Sequence, residues 1–386
     1  MNSRWSRRGL LTGLVAALLA AGLPTTAADA ADGAAAAEDI AERVCRTSRV
    51  PLSFTSVPYV PGASEPAVTT LENQQIFVRF CQPKDSPSRT VQVLVHGITY
   101  DHRYWNLPDP DGSERYSWEA AAVKAGYATL AIDRLGAGES SHPPSFQVDV
   151  NSNAAAVRAL ISALRAGKVQ APVKNVPVEK VVLVGHSYGS ITSWFAASAN
   201  PEVDAVVLTG ATHSIREFHT PLIVSAPLYP SFLDPAYAQK GYDPGYLTDR
   251  PGTRYDTYYA PDTNVDDRML AADEATKGTV TFSELNNYPL FFRAPLDIRV
   301  PVFLLIGTND ALFCSLESGD LGAPCDTAEN LVASEAPKLG PNVPSVDAYV
   351  VKGAGHALNA VRSSQESFAA AQRWIHTTVS GGQHRH

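Results

Sequence analysis

The chain is short of the residues that several common functions require. It has two methionines in 386 residues, Met1 and Met269, so it offers no methionine-lined groove for helical peptides. Lys and Arg (31) are outnumbered by Asp and Glu (39), and a general nucleic-acid binder needs the opposite balance to neutralise phosphates. Charged residues are only 18% of the total, too few for a self-repelling disordered chain, and 45% hydrophobic residues supply a core of normal size. The 26 glycines and 28 prolines follow no period, which excludes collagen-like and solenoid architectures. Neither Gly-Lys-Ser/Thr nor a full Gly-x-Gly-x-x-Gly occurs, so both familiar phosphate cradles are missing.

Long apolar runs are also scarce. Leu10 to Leu23 is one, but its 14 residues fall short of the ~20 needed to cross a bilayer as a helix. Arg4, Arg7 and Arg8 precede it, Ala28-Asp29-Ala30 follows it, and Ser6-Arg7-Arg8-Gly9-Leu10-Leu11 resembles a twin-arginine export signal. The competing reading is a membrane anchor. We expect residues 1–30 to be a cleaved export signal and 31–44 a flexible stub, leaving a secreted protein without stable membrane insertion. The cysteines are few as well: Cys45, Cys81, Cys314 and Cys325. An even count in an oxidising compartment predicts two disulfides; three pairings exist, and proximity favours Cys45 with Cys81 and Cys314 with Cys325. None of the spacings resembles a Cys-x₂-Cys ligand pair, so no metal site is expected.

From about residue 76 onward, β-rich runs alternate with helical patterns. Residues 76–80, 91–95 and 127–132 read as strands. So do 181–184, 205–208, 302–306 and 346–351, the continuous runs of strands buried on both faces. Helices are predicted over 117–125, over 152–166 with Ser152 as cap, and over 187–199, where Asn200-Pro201 stops the last. A capping box of Ser363 and Glu366 starts a final helix that buries Phe368, Trp374 and Ile375. The fold class is α/β, a mostly parallel, doubly wound sheet with helices on both faces, built from residues 45–212 and 295–380. Residues 213–294 break the rhythm with no clear strand and many aromatics, among them Tyr229, Tyr258, Tyr288, Phe291 and Phe292. So long a structureless loop is improbable, so we expect an inserted, mainly helical cap. Most of its rings would pack, and a minority would line an apolar pocket.

Gly185-His186-Ser187-Tyr188-Gly189 lies between a buried strand and a helix. A sharp strand-to-helix turn there needs glycine on either side of the serine, and it raises the hydroxyl above the edge of the sheet. With this elbow, His96-Gly97 after a strand and the turn Asp133-Arg134-Leu135-Gly136-Ala137-Gly138-Glu139-Ser140, the chain resembles the α/β-hydrolase superfamily over roughly residues 75–378. Its exported, lid-containing, esterase- and lipase-like members are the nearest in kind. The resemblance implies that Ser187 is the nucleophile, that His356 in Gly353-Ala354-Gly355-His356 is its base, and that Asp310 after strand 302–306 orients the base. The chain order Ser, Asp, His agrees with the superfamily. Asp133 is the rival acid but belongs to the glycine turn. By the same analogy the backbone N–H groups of Ile98 and Tyr188 form the oxyanion hole.

His96 and His186 belong to motifs and are expected to shape backbone. Tyr100, with His102, Tyr104 and Trp105, follows the oxyanion loop and either shapes the acyl pocket or packs. His213 and His219 open the cap, where they meet either substrate or solvent. The implied reaction is hydrolysis of a carboxylic ester or lactone, on a small-molecule ester with an apolar group and with no cofactor. An amidase or peptidase with the same triad, or a non-catalytic binding protein on this scaffold, are the alternatives. Dehalogenases and epoxide hydrolases of the superfamily place Asp at the nucleophile position, where this chain has Ser187.

Overall fold

The structure is a computed structural model and describes residues 42–57, 68–215, 224–287, 291–292, 294–317 and 319–380. The expected export signal, the stub as far as residue 41, His219 and Tyr288 lie outside the described residues. The described residues open with two long strands, β1 (Arg43–Ser56) and β2 (Thr69–Pro83), paired antiparallel. Strand and helix then alternate through β3 (Thr90–Val95), α1 (Trp118–Lys124), β4 (Ala128–Ile132), α2 (Val150–Arg165), β5 (Lys180–His186), α3 (Tyr188–Ala197) and β6 (Ala205–Thr209). The stretch 213–294 holds β7 (Leu228–Pro230), β8 (Tyr246–Asp249), α4 (Asp267–Ala275), β9 (Val280–Thr281) and α5 (Phe282–Asn286). The chain finishes with β10 (Val302–Gly307), α6 (Ala328–Glu335), β11 (Val346–Val351) and α7 (Ser364–Ile375).

Among the described residues, eight strands form the main sheet in the order β1-β2-β4-β3-β5-β6-β10-β11. The six from β4 to β11 run parallel, and β2 joins β4 antiparallel. Period-two alternation sends side chains to two separate cores. In β3, Val91, Val93 and Val95 share one core with Leu160 of α2 and Trp194 of α3, whereas Leu94 belongs to the other with Trp118 of α1 and Phe368 of α7. Burying each such aliphatic side chain contributes ~1.5–3 kcal/mol. Gln92 lies on the second face, where its amide accepts from Trp118 Nε1 at 2.9 Å and donates to Gln372 Oε1 at 2.6 Å, so its polar burial is compensated. This is the expected α/β fold.

Several expectations need correction. β1 begins at Arg43, so residues 43–44 belong to a strand rather than the stub, and the strand itself was not predicted. Its pattern was nonetheless visible: Val50, Leu52 and Phe54 are buried between exposed Pro51, Ser53 and Thr55. An edge position lets Pro51 sit in a strand without losing a ladder bond. β11 is the opposite edge and only partly covered, unlike the three other strands read as buried on both faces. Helix α2 starts before Ser152: Asp149 caps it, accepting from Ser152 N at 2.8 Å, while Ser152 Oγ accepts from Asp149 N in return. Ser363 precedes α7 without a capping box, because its hydroxyl is taken by Asn264 Nδ2 at 2.6 Å. Among the described residues of 213–294, where no clear strand was expected, β7, β8 and β9 pair into a small antiparallel sheet beside the helices α4 and α5. Strands of three, four and two residues are too short to display a period.

Both disulfides follow the pairing that proximity favours, Cys45–Cys81 and Cys314–Cys325. Cys45 and Cys81 are direct cross-strand partners in the β1–β2 ladder. No helix among the described residues is long and apolar enough to cross a membrane.

Candidate active site

Steric exclusion builds the turn between β5 and α3. A Cβ at Gly185 would lie 2.4 Å from Gly189 O, and one at Gly189 would lie 2.0 Å from Val95 O. Ser187 itself holds φ +54°, a strained value for a residue with a side chain. Gly189→Ala is therefore expected to destabilise the fold by more than ~4 kcal/mol, because the clash is with the backbone of Val95 and His96, which cannot yield as a flexible side chain would. Thermal melting checks this, and a variant melting like the parent would refute the steric account. Tyr188 is the first residue of α3, so its N–H has no intrahelical acceptor. The loop after β3 presses on the same turn: a Cβ at Gly97 would meet Ser187 Cβ at 3.0 Å, and Ile98 and Tyr188 border one cavity together with Ser187.

His356 follows β11, the edge strand that runs parallel to β10. Its backbone N–H and that of Ala357 both donate to Tyr258 O at 3.0 Å, and Gly355 N donates to Asp262 Oδ2 at 2.8 Å. The imidazole packs against Phe313, and its Nδ1 meets Asp310 Oδ2 at 2.8 Å. Asp310 is fully buried; Oδ1 accepts from Leu312 N (2.9 Å) and Phe313 N (3.3 Å), which turns Oδ2 toward the imidazole. Cys314 N donates to Asp310 O at 2.9 Å, so the Cys314–Cys325 bridge closes the loop that carries the carboxylate. The opposite ring nitrogen, Nε2, is buried and makes no hydrogen bond among the described residues, the Ser187 hydroxyl included. Catalytic hydrogen bonds are often loose without substrate.

The cavity over Ser187 measures about 330 Å³, the small end of the range for ligand sites. Its walls are mainly apolar. Leu285, Phe291 and Phe292 come from the inserted stretch, Leu312 and Phe313 from the Asp310 loop. Tyr100 and His213 do not line it. Tyr100 is buried against Tyr104 beneath the Arg254 guanidinium, and His213 stacks on Trp194 with its Nδ1 on Glu335. Tyr104 and Trp105 are likewise core residues.

The remaining polar groups brace the loops. Asp133 accepts from His102 N (2.7 Å), His102 Nδ1 (2.8 Å) and Glu139 N (2.8 Å), which occupies it within its own turn. Burial opposes protonation of His102, yet the hydrogen bond and charge of Asp133 raise its pKa above the ordinary value. Burial holds His96 and His186 well below the ordinary imidazole range, so both stay neutral. The donor atoms of Asp101, His102 and Asp133 lie within 4.8 Å of one another, but Arg103, His102 and Glu139 N–H groups already engage these carboxylates.

Two buried arginines escaped the sequence reading. Arg254 pairs with Asp249 and Asp273 at 2.5 Å each and donates to Thr99 O at 3.2 Å. Arg134 pairs with Glu284 and donates to carbonyls of the loop after β3. Arg134 directly follows Asp133 in the glycine turn, a weak signal, whereas its partner 150 positions away left none.

A serine on a strained strand-to-helix turn and a buried carboxylate–imidazole pair, all carried on loops that follow parallel strands of one sheet, define a protein of the α/β-hydrolase type. The chain belongs to the alpha/beta hydrolase family, whose model matches residues 92–371. No curated protein matches the chain. Among solved structures it is similar to an esterase from Rhodococcus, with 18% identity over 85% of this chain and 100% of that one and a TM-score of 0.47. An epoxide hydrolase from Vigna radiata is 16% identical over 87% and 98%, with a TM-score of 0.47. An enol-lactonase from Burkholderia xenovorans is 16% identical over 80% and 97%, with a TM-score of 0.45.

Proposed function

We propose that the protein is an exported serine hydrolase that cleaves a carboxylic ester or lactone through an acyl-enzyme. The observation that carries this reading is the 2.8 Å contact between Asp310 Oδ2 and His356 Nδ1, both buried, together with a Ser187 that borders an apolar cavity. A carboxylate on Nδ1 keeps the proton there and leaves Nε2 free to accept one. Ser187 Oγ attacks the carbonyl carbon as Nε2 takes its proton, and the tetrahedral oxyanion forms between the N–H groups of Ile98 and Tyr188. Collapse expels the alcohol, which receives the proton from Nε2. Water, deprotonated by the same nitrogen, then releases the acid.

Phe291, Phe292 and Phe313 suit an apolar acyl or alkoxy group in that cavity. We assign residues 213–294 the role of a cap over the site, since they supply part of its wall. Export follows from the twin-arginine-like leader, and the two disulfides fit an oxidising compartment.

The test is covalent labelling with a fluorophosphonate, followed by rates on nitrophenyl esters and matching anilides. We expect one label per chain, on Ser187, with esters turned over at least ~100-fold faster than anilides. A folded protein that neither labels nor hydrolyses either substrate would sink the proposal.

A further inference from the structure

The peptide that carries one of the proposed oxyanion donors is held from behind by a buried cation. The only cis peptide bond among the described residues is Ala260–Pro261, so the Gly97–Ile98 bond is trans and its C=O points away from its N–H. The Gly97 carbonyl accepts from two groups, His96 Nδ1 at 2.8 Å and Arg134 Nη2 at 3.3 Å. Arg134 Nε donates to the preceding carbonyl, His96 O, at 3.0 Å. One edge of the guanidinium therefore spans two successive peptides of the loop. Its remaining nitrogen, Nη1, donates to Glu284, whose other oxygen accepts from Thr281 N at 2.7 Å. Arg134 and Glu284 are each 1% exposed.

Arg134 also sets the state of His96. Its own backbone N–H donates to His96 Nε2 at 3.0 Å, so that nitrogen is the acceptor and the ring proton resides on Nδ1, facing Gly97 O. The same guanidinium lies 4.8 Å above the ring of Tyr188, the residue that carries the second proposed donor.

We propose that Arg134 is a positioning residue for the oxyanion hole: it fixes the plane of the Gly97–Ile98 peptide and polarises it, so that the Ile98 N–H is a stronger donor to the developing oxyanion. This rests on the serine-hydrolase reading above. A carbonyl that accepts from a cation and from an imidazole N–H draws electron density across the amide, and linked hydrogen bonds strengthen one another. The peptide cannot rotate, so no reorganisation is needed as charge appears. Glu284 holds the guanidinium in place, which couples the inserted stretch to the hole although Glu284 itself performs no chemistry.

The experiment replaces Arg134 by lysine. Arg134→Lys retains the charge beside Glu284 but has no planar fork to span two carbonyls. We expect kcat on a nitrophenyl ester to fall ~10–100-fold with KM changed less than ~3-fold, a fraction of the loss seen when an oxyanion donor is removed. Rates are taken per active site, titrated with the fluorophosphonate. The inhibition constant of a trifluoromethyl ketone, which adds to serine as a tetrahedral oxyanion, should weaken by the same factor as kcat/KM. A merely structural role would lower the melting temperature and the titratable fraction and leave that inhibition constant unchanged.

Glu284→Gln is the milder second variant, with a correlated loss of ~3–10-fold expected. On the unsubstituted protein, NMR with ¹⁵N-labelled arginine should show a protected guanidinium resonance that shifts when the ketone adduct forms. Parent-like kcat and inhibition in a folded variant, or arginine resonances indifferent to the adduct, would overturn the proposal. An unsubstituted protein that neither labels nor turns over ester would instead remove the serine-hydrolase reading on which it stands.

Discussion

Ser187→Ala is expected to reduce ester turnover on the order of 10⁴–10⁶-fold and to abolish fluorophosphonate labelling. The size of the loss follows from the mechanism. Without the hydroxyl, no acyl-enzyme forms, and His356 has no side-chain nucleophile to activate. What survives is the background from an oxyanion hole and a cavity that still bind the ester. The fold should be indifferent, because alanine keeps the Cβ that already tolerates φ +54° at this turn. The hydroxyl borders the cavity rather than supporting either core. Turnover and melting measured on the same preparation separate the two effects. Retention of more than about a hundredth of the parent's rate, with the label moved to another residue, would assign the nucleophile elsewhere, on the scale of losses known for this kind of triad.

Asp310→Asn should cost on the order of 10⁴ in kcat without disturbing the loop that carries it. The local geometry dictates which way the amide must face. Leu312 N and Phe313 N both donate toward Oδ1, so the amide oxygen belongs there and the NH₂ is left opposite His356 Nδ1. An NH₂ donor forces Nδ1 to accept, which moves the ring proton to Nε2. An imidazole protonated at Nε2 cannot take the serine proton. The loss should therefore appear in kcat, with melting close to that of the parent and KM little changed. An asparagine variant that retains a tenth of the parent's kcat would show that this carboxylate does not orient the base.

Most of the sheet was legible because its strands are buried runs that contrast with the amphipathic helices between them. Where burial is incomplete, the reading slipped. β1 gave no expected strand although Val50, Leu52 and Phe54 alternate with exposed residues, and β11 reads as buried on both faces although it is an edge strand. Sheet order decides which strand is an edge, and order is a property of long-range pairing. Cap assignments slipped for a related reason. Ser152 and Ser363 have the residue type for a helix N-terminus, but Asp149 captures one role and Asn264 blocks the other.

Within the proposed site, local motifs together with the family resemblance named the residues to which the reaction is assigned. The elbow glycines and the strands preceding Asp310 and His356 mark positions that the fold must bring to one edge, and Asp310 and His356 do meet, 46 positions apart. Tyr100, which could shape the pocket or pack, and His213, which could meet substrate or solvent, both pack away from the cavity. A ring next to a functional loop has two faces of the chain to choose from, and spacing does not say which is taken.

Thus the chain by itself determined the α/β architecture and the strained turn at Ser187, each written in short stretches where backbone sterics and burial leave one solution. Its two proposed partners, Asp310 and His356, were instead named by the family resemblance. Only the tertiary structure decided which aromatics face the cavity and how the loop after β3 is braced. Those outcomes depend on pairings such as Arg134 with Glu284 and Arg254 with Asp273, whose members lie on separate segments. A buried charge must find a partner, but nothing local to it says where in the chain that partner lies.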